Sequence, residues 1–201
     1  MPESFLGGRG DYFAEGDYLA TDVRTGVTRD RAGVRVLALP EDFLTGLGRA
    51  LGERCGPAAG AVRKACGREY GRRLAARLAA DLEEYYGEAL PNYPLARLEG
   101  LLVELFSHHG WGRPRFDFSR YATGLIVVAV DDPADGDLLA GVLAGLFSHL
   151  ASEGLDCLAT QREPDTRFVV TVPERLKAVS EWPDEGRAHD EIVRELEATR
   201  V

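Results

Sequence analysis

The side chains able to do chemistry are few in this chain, and their spacing does not concentrate them. Three cysteines, Cys55, Cys66 and Cys157, form an odd set without a C-x-x-C pair. That argues against a disulfide framework or a structural zinc cluster and predicts reduced thiols. His108 and His109 are adjacent, so on a helix they diverge by about 100° and do not share one metal as an i, i+4 pair does. They read as helix-end histidines near the negative pole, with an axial haem role for either, or for His149, as the alternative. Glu83-Glu84 and Asp131-Asp132 are neighbouring acids; acid-base catalysis needs carboxylates that converge in a cleft, and sequence adjacency does not supply convergence. They are expected on solvated surface. Arg9-Gly10-Asp11 looks like an adhesion tripeptide and reads as chance, since no secretion signal accompanies it. No G-x-S-x-G, P-loop or H-E-x-x-H occurs. The expectation is no catalytic residue, no metal and no cofactor.

Binding chemistry remains. Tyr70 and Trp111 are amphipathic aromatics, each able to line a pocket while offering a polar handle or simply to fill the edge of a core. Gly67 and Gly71 sit four apart in a helical stretch with Ala75, and each costs about 1 kcal/mol relative to alanine inside a helix. Something must offset that cost, either the close approach of another helix or access of a ligand to the backbone. Cys66 and Cys157 are expected to behave as small buried hydrophobes. The site expectation is an apolar ligand entering beside Gly71, Leu74, Trp111 and Phe147, with Tyr70 and Cys157 as further lining residues.

The elements that must position these residues follow from periodicity. Tyr18 to Val23 and Val34 to Leu39 read as strands, with Arg24-Thr25-Gly26 turning between them. Phe43, Leu44, Leu47 and Leu51 recur at helical spacing, predicting an amphipathic helix from Glu41 to Arg54. Gly56-Pro57 ends it and opens a long helix from about Ala58 to Tyr86, with Val62, Ala65, Cys66, Leu74, Leu78 and Leu82 toward one side. Pro91 and Pro94 punctuate a loop. Leu95, Leu98, Leu101, Leu102, Leu105 and Phe106 mark a third helix to about His108, stopped by Gly110-Trp111-Gly112. Phe116 and Phe118 alternate with polar residues, and Leu125 to Val130 is a β-branched run of the kind covered on both faces; the two pair across Thr123-Gly124. A fourth helix from about Asp135 carries Leu138, Leu139, Val142, Leu143, Leu146, Phe147 and Leu150, with Gly154 as its left-handed cap. Leu155 to Thr160 and Arg167 to Val172 form a closing hairpin through Arg162-Glu163-Pro164-Asp165. Beyond Pro173 an acidic tail carries a short amphipathic helix around Ile192, Val193 and Leu196, free to dock or stay loose.

At 201 residues, with 45% hydrophobic and 28% charged side chains, the chain is on the scale of one core. Its formal charge of −9 leaves no broad positive field, which speaks against nucleic-acid partners. No signal segment and no run of about 18 apolar residues is present, so a cytoplasmic location without membrane insertion is expected.

The order of elements, the run Gly67-Arg68-Glu69-Tyr70-Gly71-Arg72-Arg73, the Gly110-Trp111-Gly112 stop and the end Cys157-Leu158-Ala159 through Glu163-Pro164-Asp165-Thr166-Arg167-Phe168-Val169-Val170 resemble the 4-vinyl reductase domain family, itself similar to small subunits of vesicle-tethering complexes. The likeness covers roughly residues 34–172. It implies an α/β (α+β) fold, a largely antiparallel sheet packed by four main helices, and a ligand sensor or interaction module. Members of the family can carry a cysteine-rich zinc site near the closing hairpin. Here Thr166 stands where a second cysteine is expected, so that site does not carry over. A shorter stretch of likeness, in Leu98-Glu99-Gly100, Gly110-Trp111-Gly112 and the helix from Gly141 to Phe147, is similar to the D-type accessory protein of cellulose synthase, an oligomeric scaffold.

The reading that follows is a non-catalytic small-molecule-binding or protein-interaction module with an apolar pocket, acting as a homodimer; the alternative is an oligomeric scaffold. Its organisation is an N-terminal strand and loop extension at 1–33, a 4-vinyl-reductase-like domain at 34–173 and a tail at 174–201. The partner expected is an apolar small molecule.

Overall fold

A computed structural model describes Phe13 and residues 18–89, 93–163 and 165–199. Arg9-Gly10-Asp11, Pro91 and Pro164 lie outside the described residues. The centre is an antiparallel four-stranded sheet in the order β4-β5-β7-β6, made of β4 (Arg113–Asp117), β5 (Ile126–Asp131), β6 (Asp156–Gln161) and β7 (Thr166–Thr171). Its register sets Phe116 opposite Val128, Val128 opposite Phe168, and Cys157 opposite Val170. These side chains fall on one face and form the main core. The mixed α/β architecture and the antiparallel sheet are as the sequence implies.

That face is covered by α4 (Gly136–Ala151), whose first turn is capped by the Asp135 carboxylate accepting from the Leu138 N–H at 2.9 Å. Its C-terminal cap corrects the sequence expectation. Ser152, at φ 53°, takes the left-handed position assigned to Gly154, and its N–H closes the helix on the His149 carbonyl. The cause lies one turn back: the Ser148 hydroxyl accepts from the Leu155 N–H at 2.9 Å and donates to the Leu155 carbonyl at 3.0 Å, so the chain must turn before Gly154 to return to β6.

Against α4 lies α2 (Ala59–Tyr86), and here glycine decides the geometry. A Cβ at Gly67 would stand 2.0 Å from the Leu138 carbonyl oxygen, and one at Gly71 would stand 2.2 Å from that of Val142. The partner helix answers in kind, since Cβ atoms at Gly141 and Gly145 would each meet a carbonyl oxygen of α2, of Lys64 and Arg68, at 2.0 Å. The two backbones are therefore in direct contact along a seam of four glycines. Continuing from Gly67 at three- and four-residue steps, Gly71, Leu74, Ala75, Leu78 and Leu82 make one buried stripe. Val62, Ala65 and Cys66, expected on the inner side, are exposed, because the glycine seam turns a face about 100° or more away from them toward the core.

The N-terminal strands also differ from expectation. β1 (Leu19–Asp22) turns into β2 (Val27–Asp30), not into the segment after Val34. The Asp22 carboxylate accepts from the Arg24 N–H at 2.9 Å and the Thr25 hydroxyl at 2.8 Å, and Gly26 adopts φ 66°, so the chain reverses at once. Only Arg35–Val36 of the predicted second strand pairs, as β3. Then comes α1 (Glu41–Cys55), none of whose residues is buried.

α3 (Leu95–His108) buries Leu101, Leu102, Leu105 and Phe106 in the main core. The opposite face of the sheet is not bare. The tail docks there as α5 (Pro173–Lys177) and α6 (His189–Ala198), setting Leu176, Val179, Ile192, Val193 and Leu196 on Leu125, Val127, Leu158 and Val169. Among the described residues no helix is long and apolar enough to cross a membrane.

Candidate functional site

Trp111 is held by backbone before its side chain does anything. Its N–H donates to the Phe106 carbonyl at 3.1 Å, and it stands between Gly110 at φ 66° and Gly112 at φ 91°. Gly112 is required twice over, by that φ and because a Cβ would come within 2.4 Å of the Asp131 carbonyl oxygen. So fixed, the indole stands edge-on to Phe106 and Tyr70, with centroids at 5.3 and 5.5 Å, and inclined to His109 at 4.9 Å. Beside it is a narrow cleft of about 40 Å³, lined by Leu44 of α1, Ala134, Asp135, and Leu138, Leu139 and Val142 of α4.

The residues expected at the site divide into two groups. Tyr70 and Trp111 meet, with Tyr70 remaining 42% exposed on α2. Gly71 neighbours them through Val142, which touches its backbone and also lines the cleft. The space its missing side chain leaves is filled by the α4 backbone, so the glycine pair serves a helix crossing. Leu74, Phe147 and Cys157 lie behind, in the main core. Phe147 packs edge-on to Phe116 and Phe118 at 6.1 and 6.2 Å. Cys157 is fully buried, and desolvation pushes its thiol far above its ordinary range, away from nucleophilic use. Cys66, expected to be buried, is exposed, as is Cys55.

Sequence reasoning missed the polar neighbourhood of Trp111. Asp30, with its carboxylate buried, pairs with Arg77 of α2 at 3.1 Å and accepts from the Val34 N–H at 2.8 Å. Tyr18 is buried nearby, its ring 4.9 Å from that of His108 and 6.2 Å from that of His109. Burial raises the pKa of the Tyr18 and Tyr70 phenols. Burial likewise lowers that of His109, keeping its imidazole neutral at pH 7. The His109 Nδ1–H donates to the Leu105 carbonyl at 2.8 Å, which leaves Nε2 as an acceptor. No periodicity signals this cluster, since it joins β2, α2 and α3 across the fold. Leu44, Leu138 and Val142 had a signal, their place on apolar stripes, but stripes do not separate cleft from core. Among the described residues no three His, Cys, Asp or Glu side chains gather into a set able to hold a metal.

No family model and no curated protein matches the chain. Solved structures do. The phenol-responsive sensory domain of the transcription activator PoxR, determined with phenol, is 16% identical, with a TM-score of 0.63 over 84% of this chain and 90% of that one. A vinyl-4-reductase family protein from Methanocaldococcus jannaschii is 14% identical at a TM-score of 0.46, covering 68% and 83%. A trafficking protein particle complex subunit 3 from Naegleria fowleri, covalently bound to palmitic acid, is 12% identical at 0.41, covering 62% and 92%. The resemblance to 4-vinyl reductase domains and vesicle-tethering subunits thus recurs among the solved structures. At these identities what is shared is architecture, and the chain has the fold of the phenol-responsive sensory domain.

Proposed function

We propose that this protein is a sensory module for a small apolar molecule, with an aromatic ring bearing a hydroxyl as the best-fitting class. The observation that carries the reading is the cleft beside Trp111, floored by α4 and roofed by Leu44 of α1, the helix with no buried residue. At about 40 Å³ the cleft is smaller than the roughly 150 Å³ cavity known to hold benzene. Ligand uptake therefore requires α1 to swing outward, which its loose packing permits. Trp111 lines the cleft and Tyr70 stands edge-on to it, while Gly71, Leu74, Phe147 and Cys157 belong to the packed frame behind the lining. In this reading the Nε2 of His109, whose ring stands 4.9 Å from that of Trp111, accepts the ligand hydroxyl once the cleft has opened. The phenol bound by the PoxR sensory domain supports this ligand class. In the same reading the chain works as a homodimer in the cytoplasm, and no catalytic step is assigned to it.

The runner-up is an oligomeric accessory scaffold, favoured by the exposed apolar side chains of α1, Phe43 at 52% and Leu47 at 46%. Thermal melts of the full chain with phenol, cresols and an aliphatic control, together with native mass spectrometry of the purified protein, separate the two. A melting point raised by the phenols and lost in Trp111→Ala supports the sensor. No shift with any probe, alongside assemblies larger than a dimer, overturns it in favour of the scaffold.

A further inference from the structure

The outer face of the sheet is closed by α6, and the two ends of that helix are held in different ways. At its C-terminal end the buried Arg175 guanidinium donates to the Leu196 carbonyl, and also to the Thr123 carbonyl at 2.7 Å and the Thr171 hydroxyl at 3.3 Å. A cation at the negative pole of a helix is favourable, and an arginine keeps its charge across the physiological range. Arg120 adds a pairing with Glu197. Neither guanidinium changes its charge across the physiological range.

The N-terminal end is pinned by a histidine. His189 is the first residue of α6, only 7% exposed, with Nδ1 2.6 Å from the Thr160 hydroxyl of β6. Thr160 gives its single hydrogen to the Arg167 carbonyl at 3.2 Å, so the satisfying arrangement has the His189 Nδ1–H donating. The charged groups facing this imidazole are Arg167 from β7, Asp165 from the turn before it, Arg120 from the loop after β4, and Asp190 from α6 itself. Asp165 is already engaged by Arg115 and Arg167, at 2.8 and 3.3 Å. A second positive charge here would be buried, and it would sit at the helix pole whose free amides already carry positive charge.

We propose that α6 is a pH-released strap: protonation of His189 lifts its first turns from β6 and uncovers the outer sheet face around Leu125, Val127, Leu158 and Val169, while Arg175 keeps the far end tethered. The direction is fixed by burial, which holds the His189 imidazole below its ordinary value of 6.5 when docked. Neutral His189 stabilises docking fully above 6.5, and the contribution is lost as pH falls toward the docked value. This proposal does not depend on the ligand site, which lies on the other face of the sheet.

Hydrogen exchange of the full chain, corrected for the intrinsic pH dependence of exchange, tests it at about pH 7.5 and about pH 5. The amides of Ile192 and Val193, in the first turns of α6, should lose protection at the lower pH, while those of Val128 and Phe168 keep theirs. His189→Gln retains a donor for Thr160 but takes up no proton, and its α6 protection should be equal at the two pH values. Equal losses in the wild type and His189→Gln overturn the proposal, as does parallel loss in β5 and β7. Should the variant not fold, NMR titration of the imidazoles decides. The His189 ring should titrate below the ordinary imidazole value of 6.5, and a midpoint at or above 6.5 overturns the proposal.

Discussion

Two helices that follow each other in the chain, α1 and α2, are built on opposite plans. α2 lies backbone to backbone on α4 through Gly67, Gly71, Gly141 and Gly145, with no volume to spare. α1 carries an amphipathic pattern in Phe43, Leu44, Leu47 and Leu51, yet none of its residues is buried and Phe43 and Leu47 stay about half exposed. The contrast teaches that apolar periodicity announces a helix and a face but not what the face meets. It also assigns roles. The close-packed pair is a frame that holds Trp111 and the floor of the cleft, and α1 is the cover that such a frame needs if a ligand is to enter and leave.

The comparison breaks most plainly at the frame. Gly71→Leu inserts a side chain where even a Cβ would sit 2.2 Å from a carbonyl oxygen, so the gain in helix propensity is overwhelmed. Overpacking costs about 1 to 3 kcal/mol where side chains can move, and here backbone must move. A loss of at least about 3 kcal/mol in urea unfolding is expected, and a melting point within a degree of wild type would refute the direct helix contact. Leu74→Ala, in the same frame but bounded by side chains, should cost about 2 to 5 kcal/mol by the same measurement.

Acid should act on the frame as well. Burial lowers the pKa of His109, so its contribution to stability is complete above the unfolded value of 6.5 and is lost as pH falls toward the folded value. Urea unfolding of His109→Gln should show a weaker fall in stability between about pH 7 and about pH 5 than the wild type does. Identical slopes would remove His109 from the account.

Thiol labelling sharpens the contrast without mutation. Cys55 at the end of α1 and Cys66 on the outer side of α2 should react with a maleimide in the native state, and Cys157 only after unfolding. Three fast thiols would contradict the packing of β6. The smallest effect is expected in the cover: Phe43→Ser or Leu47→Ser should change stability by within about 0.5 kcal/mol, as exposed substitutions do. A loss above about 2 kcal/mol would mean that α1 is covered in solution and does not work as a loose lid.

Much of the frame was legible in the residues. Leu125 to Val130 announced a strand covered on both faces, Phe116 alternating with polar neighbours announced its partner, and Asp135 announced the start of α4. The Gly67/Gly71 pair announced a close approach, because a glycine inside a helix needs compensation. The sequence alone could not choose between a helix and a ligand as the approaching body. The answer is in Gly141 and Gly145, which read as ordinary residues until the two helices cross.

Local chemistry therefore determined the elements, since periodicity, caps and turn residues act within a few positions of chain. Tertiary structure decided which faces meet. It moved the α4 cap to Ser152 through the Ser148 bonds to Leu155, and turned Cys66 outward. It also brought Asp30, Arg77, Tyr18 and His109 together from four separate segments beside Trp111. Contacts between segments far apart in sequence depend on the sum of all packing choices, and no single stretch of residues encodes that sum.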